Sequence, residues 1–346
     1  MKRTVTYSEL KARRRCPFKA HLSYDRRLTP MVKSPGLREG SIMDEGLNAH
    51  YSGQDMIAAM EEEYERQTEP MMGLLMDEEW ALVDERFQLL LAVAREYRHF
   101  SAQADKGWNV ITMQLEGRVP VLNKVGRAST RYDYVFKADG LVAIENELWL
   151  MENKAWKTIG SDAIRILPLD EQCSMYLWGI NQLIGKGQAS KEVMQAVADY
   201  GLPVGVLYNI IRKAVPKVPG LLKNGKTSTD KRVDTTHNVF LKTLTERGED
   251  PSEYAEVLDA LRAKGDTFHY REAVYRNAGE LQEIGQRIHE GTRILAEGHT
   301  IKNPDRSCTW ECAFFPLCVE WNEEVLSEHY YVREKRHEEY QELEAA

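Results

Sequence analysis

The chain lacks the features that would assign it to several protein classes. No run approaches the roughly 18 consecutive apolar residues of a membrane span, and the first residues, MKRTVTYSELKARRRC, lack the apolar core of a signal peptide. The Walker pattern Gly-x4-Gly-Lys-Ser/Thr is also absent, so the chain does not carry the nucleotide site of a motor. It shows no internal repeat and no low-complexity segment. We therefore expect a cytoplasmic globular protein that is not itself a motor.

An excess of positive charge is absent as well. The 346 residues have a formal net charge of −8, which excludes general electrostatic binding of nucleic acid. An anionic ligand must therefore meet a local basic patch. Residues 212–232 form one, with seven lysines and arginines against a single aspartate. The alternative for this segment is an ordinary solvated loop.

The order of hydrophobic patterns predicts an α/β fold with a mixed central sheet flanked by helices. Helical periodicity covers most of the chain up to residue 105, and strand patterns follow near 108–116, 130–137 and 147–155. Further strands are predicted near 203–211 and 267–275, with helices near 169–184, 251–263 and 277–297. We expect one domain with three parts: a helical part over 1–105, an α/β core over 106–275 and a C-terminal part over 276–346.

Two opposite charges interrupt the apolar strand LWLMENKAW at 148–156. Glu152 and Lys154 lie on one face of it, because alternate strand residues point the same way. The neighbouring strand RYDYVFKADG adds Asp133 among apolar residues. Two carboxylates at a sheet edge can hold a hard divalent cation, and a lysine beside them can position a nucleophile or offset phosphate charge. The alternative is a structural ion pair at a strand end.

Two further sequence motifs complete a pattern with these residues. They are Gly46 and His50 in GLNAHY, and Gln172 and Tyr176 in QCSMY, which share one helical face. In this order and spacing the motifs resemble the PD-(D/E)xK nuclease superfamily. They are similar to its RecB-like branch, which includes phage and bacterial exonucleases, CRISPR-adaptation nucleases and AddB-type nuclease domains.

This resemblance implies a restriction-endonuclease-like core and roles for individual residues. A Mg²⁺ or Mn²⁺ ion would be held by His50, Asp133, Glu152 and the main-chain carbonyl of Asn153. Lys154 would position or activate the attacking water, and Gln172 and Tyr176 would orient the DNA or the lysine. The DNA backbone would be contacted by the cations of the basic segment, namely Lys213, Lys217, Lys223, Lys226, Lys231 and Arg232.

Four of the five cysteines form a one-plus-three pattern. Cys16 lies near the start of the chain, and Cys308-x3-Cys312-x5-Cys318 lies near the end. Four thiolates suit either zinc or an iron–sulfur cluster, and spacing alone does not separate the two. The resemblance to the RecB-like branch favours a [4Fe–4S] cluster with a structural role; free buried thiols are the remaining alternative. Cys173 is interpreted as a small buried apolar residue.

The sequence thus leads to the expectation of a metal-dependent DNA exonuclease. The resemblance places it in DNA recombination or repair, in a bacterial or phage-infected cytoplasm, with a recombinase or helicase as protein partner. A second hypothesis is a DNA-binding or structural subunit of a larger recombination or helicase complex that keeps the nuclease fold. A third is a zinc-stabilised RNA-processing protein.

Overall fold

The computed structural model describes residues 2–32, 34–230, 232–337 and 340. Its strands are β1 (Arg3–Val5), β2 (Leu28–Pro30), β3 (Asn109–Leu122), β4 (Ala128–Ile144), β5 (Glu147–Trp156), β6 (Gly205–Arg212), β7 (His269–Tyr275) and β8 (Tyr330–Val332). Its helices up to the core are α1 (Tyr7–Arg15), α2 (Pro17–Ala20), α3 (Pro35–Tyr51), α4 (Met56–Thr68), α5 (Asp77–Ala104), α6 (Ser161–Arg165), α7 (Glu171–Gly185) and α8 (Lys191–Tyr200). The later helices are α9 (His237–Arg247), α10 (Ala255–Lys264), α11 (Ala278–Glu297), α12 (Cys308–Glu311), α13 (Phe315–Val319) and α14 (Glu323–His329). No helix within these described ranges is long and apolar enough to cross a membrane.

The central sheet is mixed and six-stranded. Its order is β1-β4-β5-β6-β7, with β3 paired to β4 outside this path. Strand β4 runs parallel to β1 and antiparallel to β3 and β5, β5 is parallel to β6, and β6 is antiparallel to β7. Helices cover the sheet on both faces. The prediction of a mixed sheet flanked by helices is confirmed.

A two-residue turn fixes how β4 and β5 face each other. Glu145 and Asn146 have φ angles of 49° and 68°, the left-handed conformation that tight hairpin turns require. Because Ile144 pairs with Glu147 and Gly140 with Met151, the next position along the hairpin brings Asp139 opposite Glu152. The turn therefore determines which acidic residue of β4 meets the acidic residue of β5.

Strand β4 has two different neighbours on the same edge. Its residues 132–134 pair with β1, and its residues 140–144 pair with β5. In the ladders of the described strands, residues 135–138 have a sheet partner only on the β3 side. The backbone N–H of Asn153, where the β4–β5 ladder ends, donates instead to the Asp139 side chain at 2.7 Å. The sheet therefore forks at Asp139, and the fork is where a cleft can open.

Different helices pack on the two faces. On one face, α7 and α11 cover an apolar core that includes Tyr134, Phe136 and Leu150. Helix α7 approaches the sheet closely at Gly179, where a Cβ atom would lie 2.4 Å from the Phe136 ring. On the other face, α3, α4 and α5 form a second core through residues such as Met60. The helical part before residue 105 is thus packed directly on the sheet.

A largely buried polar network joins this helical part to the sheet. The guanidinium of Arg271 on β7 donates to Asp105, just after α5, at 2.9 Å and to the Tyr97 hydroxyl at 2.9 Å. Arg271 also donates to the side chain of Asn209 on β6, which is fully buried and donates in turn to Tyr97 at 2.8 Å. Tyr51 of α3 donates to Asp105 at 2.7 Å. Through these contacts α3 and α5 are fixed to the sheet.

We expect Arg271→Ala to lower the free energy of unfolding by about 3 kcal/mol, because Asp105 and two hydroxyl groups would lose their cationic partner in a buried setting. Urea unfolding measures this. Arg262→Ala removes a guanidinium from the exposed pair with Asp259 and should have little effect. Combining Arg271→Ala with Asp105→Ala should recover part of the loss. Equal effects of the two single arginine variants would contradict this view of the network.

Candidate active site

The fork in the sheet brings two acidic residues together. Asp139 of β4 and Glu152 of β5 lie opposite each other where the hairpin ladder ends. Glu152 is buried and Asp139 is half-buried. The Asp139 carboxylate is oriented by the N–H of Asn153, so its position is tied to the strand that carries Glu152.

A third carboxylate reaches this corner from the helical part. Asp44 of α3 lines the same cavity, of about 350 Å³, as Asp139, Asn153, Gln172 and Tyr176. Its side chain is accessible from the cavity although protein surrounds it closely. The cavity therefore gives a small ion a route to the acidic residues.

The three carboxylates disfavour one another's charge. Incomplete hydration followed by the charge of Glu152 raises the pKa of Asp44. The same two causes, with Asp44 in addition, raise the pKa of Asp139 well above its ordinary value. Burial raises the pKa of Glu152 despite the opposing effect of Lys154. Neighbouring carboxylates that destabilise one another's ionised forms are the arrangement that a divalent cation relieves.

One oxygen of Glu152 is unpaired. Its Oε1 accepts from the Lys154 ammonium at 2.7 Å, while its Oε2 is buried and has no hydrogen-bond partner among the described residues. A buried carboxylate oxygen without a partner is costly, and Mg²⁺ or Mn²⁺ prefers oxygen ligands of this kind. No group of three or more histidine, cysteine, aspartate or glutamate side chains in the described ranges is already arranged to hold an ion. The carboxylate oxygens of the corner are thus chemically suited to a divalent cation, but they do not form a complete coordination sphere.

Lys154 is held by acidic neighbours. Although burial opposes its charged form, Glu152 and the groups around it raise the pKa of the Lys154 ammonium above its ordinary value. The Asp170 carboxylate lies 3.7 Å from Nζ. Lys154 is accordingly a fixed cation next to the acidic corner.

Helix α7 contributes Gln172 and Tyr176 to the cavity wall, as the sequence predicts. The Gln172 amide donates to the Tyr176 hydroxyl at 2.7 Å, so the two side chains act as one unit. Their roles towards a substrate stay a prediction, as does the role of the Asn153 carbonyl.

The structure corrects the prediction for Asp133. This residue lies six positions before Asp139 on β4, which is roughly 20 Å along a strand. It pairs with Lys2 at 3.1 Å and with Arg118 at 3.0 Å, next to β1. Asp133 therefore does not lie next to Glu152. The position opposite Glu152, which the sequence analysis predicted for Asp133, is occupied by Asp139.

The prediction for His50 is corrected in the same way. Its Nε2 atom lies 2.9 Å from the Ser101 hydroxyl, and its ring contacts Tyr51 and Tyr97 between α3 and α5. Burial lowers its pKa. It lies six positions after Asp44, so the two side chains lie on different sides of α3. The signal for Asp44 was present, because Gly40 precedes it with the same spacing that Gly46 has to His50.

Much of the basic segment is already paired within the chain. Lys213 contacts Glu39 and is largely buried, so it anchors α3 and is corrected from its predicted role in DNA binding. Lys226 and Arg232 pair with Glu253 and Asp230 in exposed ion pairs, which are weak and can exchange for phosphate.

The remaining cations of the segment fall into two groups. Lys217 and Lys223 are exposed, and Lys231 lies outside the described residues. Sequence reasoning missed Arg66 and Lys137, which line the cavity itself.

The four cysteines of the one-plus-three pattern line a single cavity of about 270 Å³. Cys16 follows α1, and the other three come from 308–318. The two ends of the chain are held together here, since the Phe18 N–H donates to the Ile301 carbonyl at 3.1 Å and the Asn303 amide donates to the Arg15 carbonyl at 2.8 Å. The backbone N–H of Asp305 donates to the Cys308 sulfur at 3.3 Å. The thiols share one pocket, and the cluster itself stays a prediction.

Comparison with known proteins identifies the class that this fold and corner belong to. The family model of the PD-(D/E)XK nuclease superfamily matches residues 4–319, nearly the whole chain. The chain belongs to this superfamily, whose members are nucleases that typically use Mg²⁺ or Mn²⁺. The sequence-based prediction of the superfamily is confirmed, whereas its RecB-like branch stays a prediction. None of the curated proteins matches the chain.

We expect Asp44→Asn to raise the melting temperature of the metal-free protein at pH 8 by about 2 °C, because one of three repelling charges is removed. The same variant should lose most of the stabilisation that Mg²⁺ or Mn²⁺ gives to the wild type. Thermal melts with chelator and with each ion measure both effects. Glu45→Gln, one position away, is the control and should keep the response to metal. A normal metal response in Asp44→Asn would remove Asp44 from the proposed ligand set.

Proposed function

We propose that this chain is a divalent-metal-dependent deoxyribonuclease that degrades DNA from its ends. The observation that carries the proposal is the buried Oε2 atom of Glu152, which has no hydrogen-bond partner among the described residues, on a carboxylate whose charge raises the pKa of both Asp139 and Asp44. Superfamily membership supports phosphodiester hydrolysis as the chemistry.

Each residue of the corner has a distinct role in this proposal. Asp44, Asp139 and Glu152 would hold Mg²⁺ or Mn²⁺, together with the main-chain carbonyl of Asn153. The bound ion would supply Lewis-acid stabilisation of phosphate charge and a water of lowered pKa. The charge of Glu152 and its neighbours raises the pKa of the Lys154 ammonium, so we assign Lys154 the role of orienting the water and the scissile phosphate by its charge. Gln172 and Tyr176 form the wall against which the substrate strand is oriented.

The route of the DNA backbone follows from the cations around the cavity. Arg66 of α4 and Lys137 of β4 line it, so they would contact phosphates next to the scissile bond. Lys217, Lys223, Lys226 and Arg232 of the basic segment would extend the contact without sequence preference. Because the chain as a whole is acidic, binding should depend on these local contacts and weaken with salt.

Action on DNA ends, in recombination or repair, is the finer part of the proposal. It rests on the resemblance of the motifs to the RecB-like branch, as does a recombinase or helicase partner in a bacterial or phage-infected cytoplasm. Linear and nicked circular DNA of equal length separate the modes of action. Degradation of the linear form alone supports an exonuclease, and labels at the 5′ and 3′ ends then give its polarity.

Asp139→Asn should abolish cleavage, with a loss of at least about 100-fold, because a carboxylate that would hold the ion becomes a neutral amide. Asp133→Asn makes the same chemical change on the same strand and should retain cleavage, since its carboxylate is committed to Lys2 and Arg118. Release of label from linear DNA with Mg²⁺ or Mn²⁺ measures both.

If Asp133→Asn abolished cleavage and Asp139→Asn retained it, Asp133 would be the metal ligand, as the sequence predicted, and Asp139 would be removed from the proposed ligand set. If wild type binds DNA but shows no cleavage with either ion, the chain is a DNA-binding subunit of a larger complex. Cleavage of RNA alone would favour an RNA-processing role. Glu152→Gln serves as the inactive reference in every assay.

A [4Fe–4S] cluster in the cysteine cavity is part of the same proposal. The cavity offers more room than a single ion fills, and Lys19 and Lys302 at its wall would balance the negative charge of four thiolates. The N–H to sulfur contact at Cys308 is typical of ligand thiolates in such clusters. The cluster would hold the two ends of the chain together.

Anaerobically purified wild type should contain about four iron atoms per chain and show the visible absorbance of a cysteine-ligated cluster. Cys318→Ser should lose most of the iron and melt at a lower temperature, because the link between α1 and residues 308–318 is lost. Cys173→Ser is the matched control and should keep its iron, since Cys173 is a buried residue of α7 and does not line the cysteine cavity. If metal analysis found one zinc atom per chain and no iron, the cysteine cavity would be a zinc site and the cluster assignment would be wrong.

A further inference from the structure

The two carboxylate oxygens of Asp170 have different partners. Its Oδ1 atom accepts from the backbone N–H groups of Gln172 and Cys173, at 3.0 and 3.4 Å, and so caps the start of α7. Its Oδ2 atom lies 3.7 Å from Nζ of Lys154 and accepts from the Cys173 thiol at 3.4 Å. One oxygen is thus used by the helix, and the other faces the lysine of the candidate active site.

Lys154 needs an anion besides Glu152. In the proposed function Glu152 serves two cations, because its Oε1 atom contacts Lys154 while its Oε2 atom, which has no hydrogen-bond partner among the described residues, would bind the metal ion. A carboxylate that shares its charge in this way holds the ammonium less firmly. The Asp170 carboxylate has no such second demand, and the N-terminus of α7 stabilises its negative charge.

We propose that Asp170 is a positioning residue, which holds the Lys154 ammonium in place while Glu152 is engaged elsewhere. This inference rests on the proposed function, because it concerns the lysine of that same site. Asp170 does not line the cavity, so it acts through Lys154 and not on the substrate. Neither the motifs of the sequence nor the superfamily match singles it out.

The alternative explanation is that Asp170 only caps helix α7. The chain contains a second aspartate N-cap with which it can be compared. Asp55 caps α4 in the same manner, accepting from the N–H groups of Ile57 and Ala58 at 2.8 and 3.2 Å. Asp55 is exposed and pairs with no lysine among the described residues. Asparagine is as good an N-cap as aspartate, so Asp→Asn keeps the cap at both positions. Only at residue 170 does it also replace an anion that faces a lysine.

The experiment compares Asp170→Asn with Asp55→Asn in steady-state cleavage of linear DNA. We expect kcat of Asp170→Asn to fall about tenfold, the size of effect that loss of one charge-assisted partner produces. KM for DNA, the Mg²⁺ concentration at half-maximal rate and the melting temperature should stay within about twofold or 2 °C of wild type. Asp55→Asn should match wild type in all four. Asp170→Ser, which also caps but lacks Oδ2, should reproduce the loss of kcat.

Each other outcome is informative. Wild-type kcat in Asp170→Asn, with Lys154→Ala inactive, overturns the positioning role and leaves the proposed function intact. A change in KM alone, or a lowered melting temperature equal in the two Asp→Asn variants, reduces Asp170 to a cap and overturns the inference. Full activity of Lys154→Ala would instead overturn the role of the lysine in the proposed function. The two failures are thereby distinguishable.

Discussion

Repulsion among the carboxylates of Asp44, Asp139 and Glu152 is the constraint on which the rest of the site depends. Like charges in a recessed, poorly hydrated corner separate or take up protons unless the surroundings prevent it. Lys154 supplies one compensating charge, which leaves the corner with the charge that a divalent cation would neutralise. The fold therefore has to hold groups together that repel each other until the ion binds. This requirement explains why the strands and the helix that carry the acidic residues are held in place by contacts outside the corner.

Two separate devices supply that fixation. The tight hairpin turn at Glu145 and Asn146 sets Asp139 against Glu152, and the Asn153 N–H orients the Asp139 carboxylate. Asp44 depends on a different support, because α3 belongs to the helical part and reaches the sheet only by packing. The network around Arg271 provides this support, because it connects β7 to Tyr97 of α5 and to Asp105. His50 lies at the edge of this network, so a residue expected to bind metal contributes instead to holding the helix that carries Asp44.

The sequence predicts the sheet, the strand with Glu152 and Lys154 and the face of α7, because each is encoded by a short repeating pattern. The error at Asp133 came from the hairpin. The strand was expected to end at residue 137, whereas β4 continues to Ile144 and turns at once. Counting six residues outward from each side of the Glu145–Asn146 turn gives Asp139 and Glu152, so this register was readable in principle. The Gly40 spacing marked Asp44 as a candidate, but its approach to the corner was not readable, because it depends on packing between distant parts of the chain, as do the three-residue strands β1, β2 and β8.

Helix α1 gives the cysteine cavity a physical connection to the active-site corner. The helix ends next to Cys16, and its Arg14 donates to the carboxylate of Glu171, the first residue of α7, at 2.7 Å. The preceding residue, Asp170, faces Lys154. A cluster bound to Cys16 would fix one end of α1 and so limit the movement of the start of α7. A structural cluster in the cysteine cavity would in this way influence the rate, because the position of the lysine depends on the helix start that α1 supports.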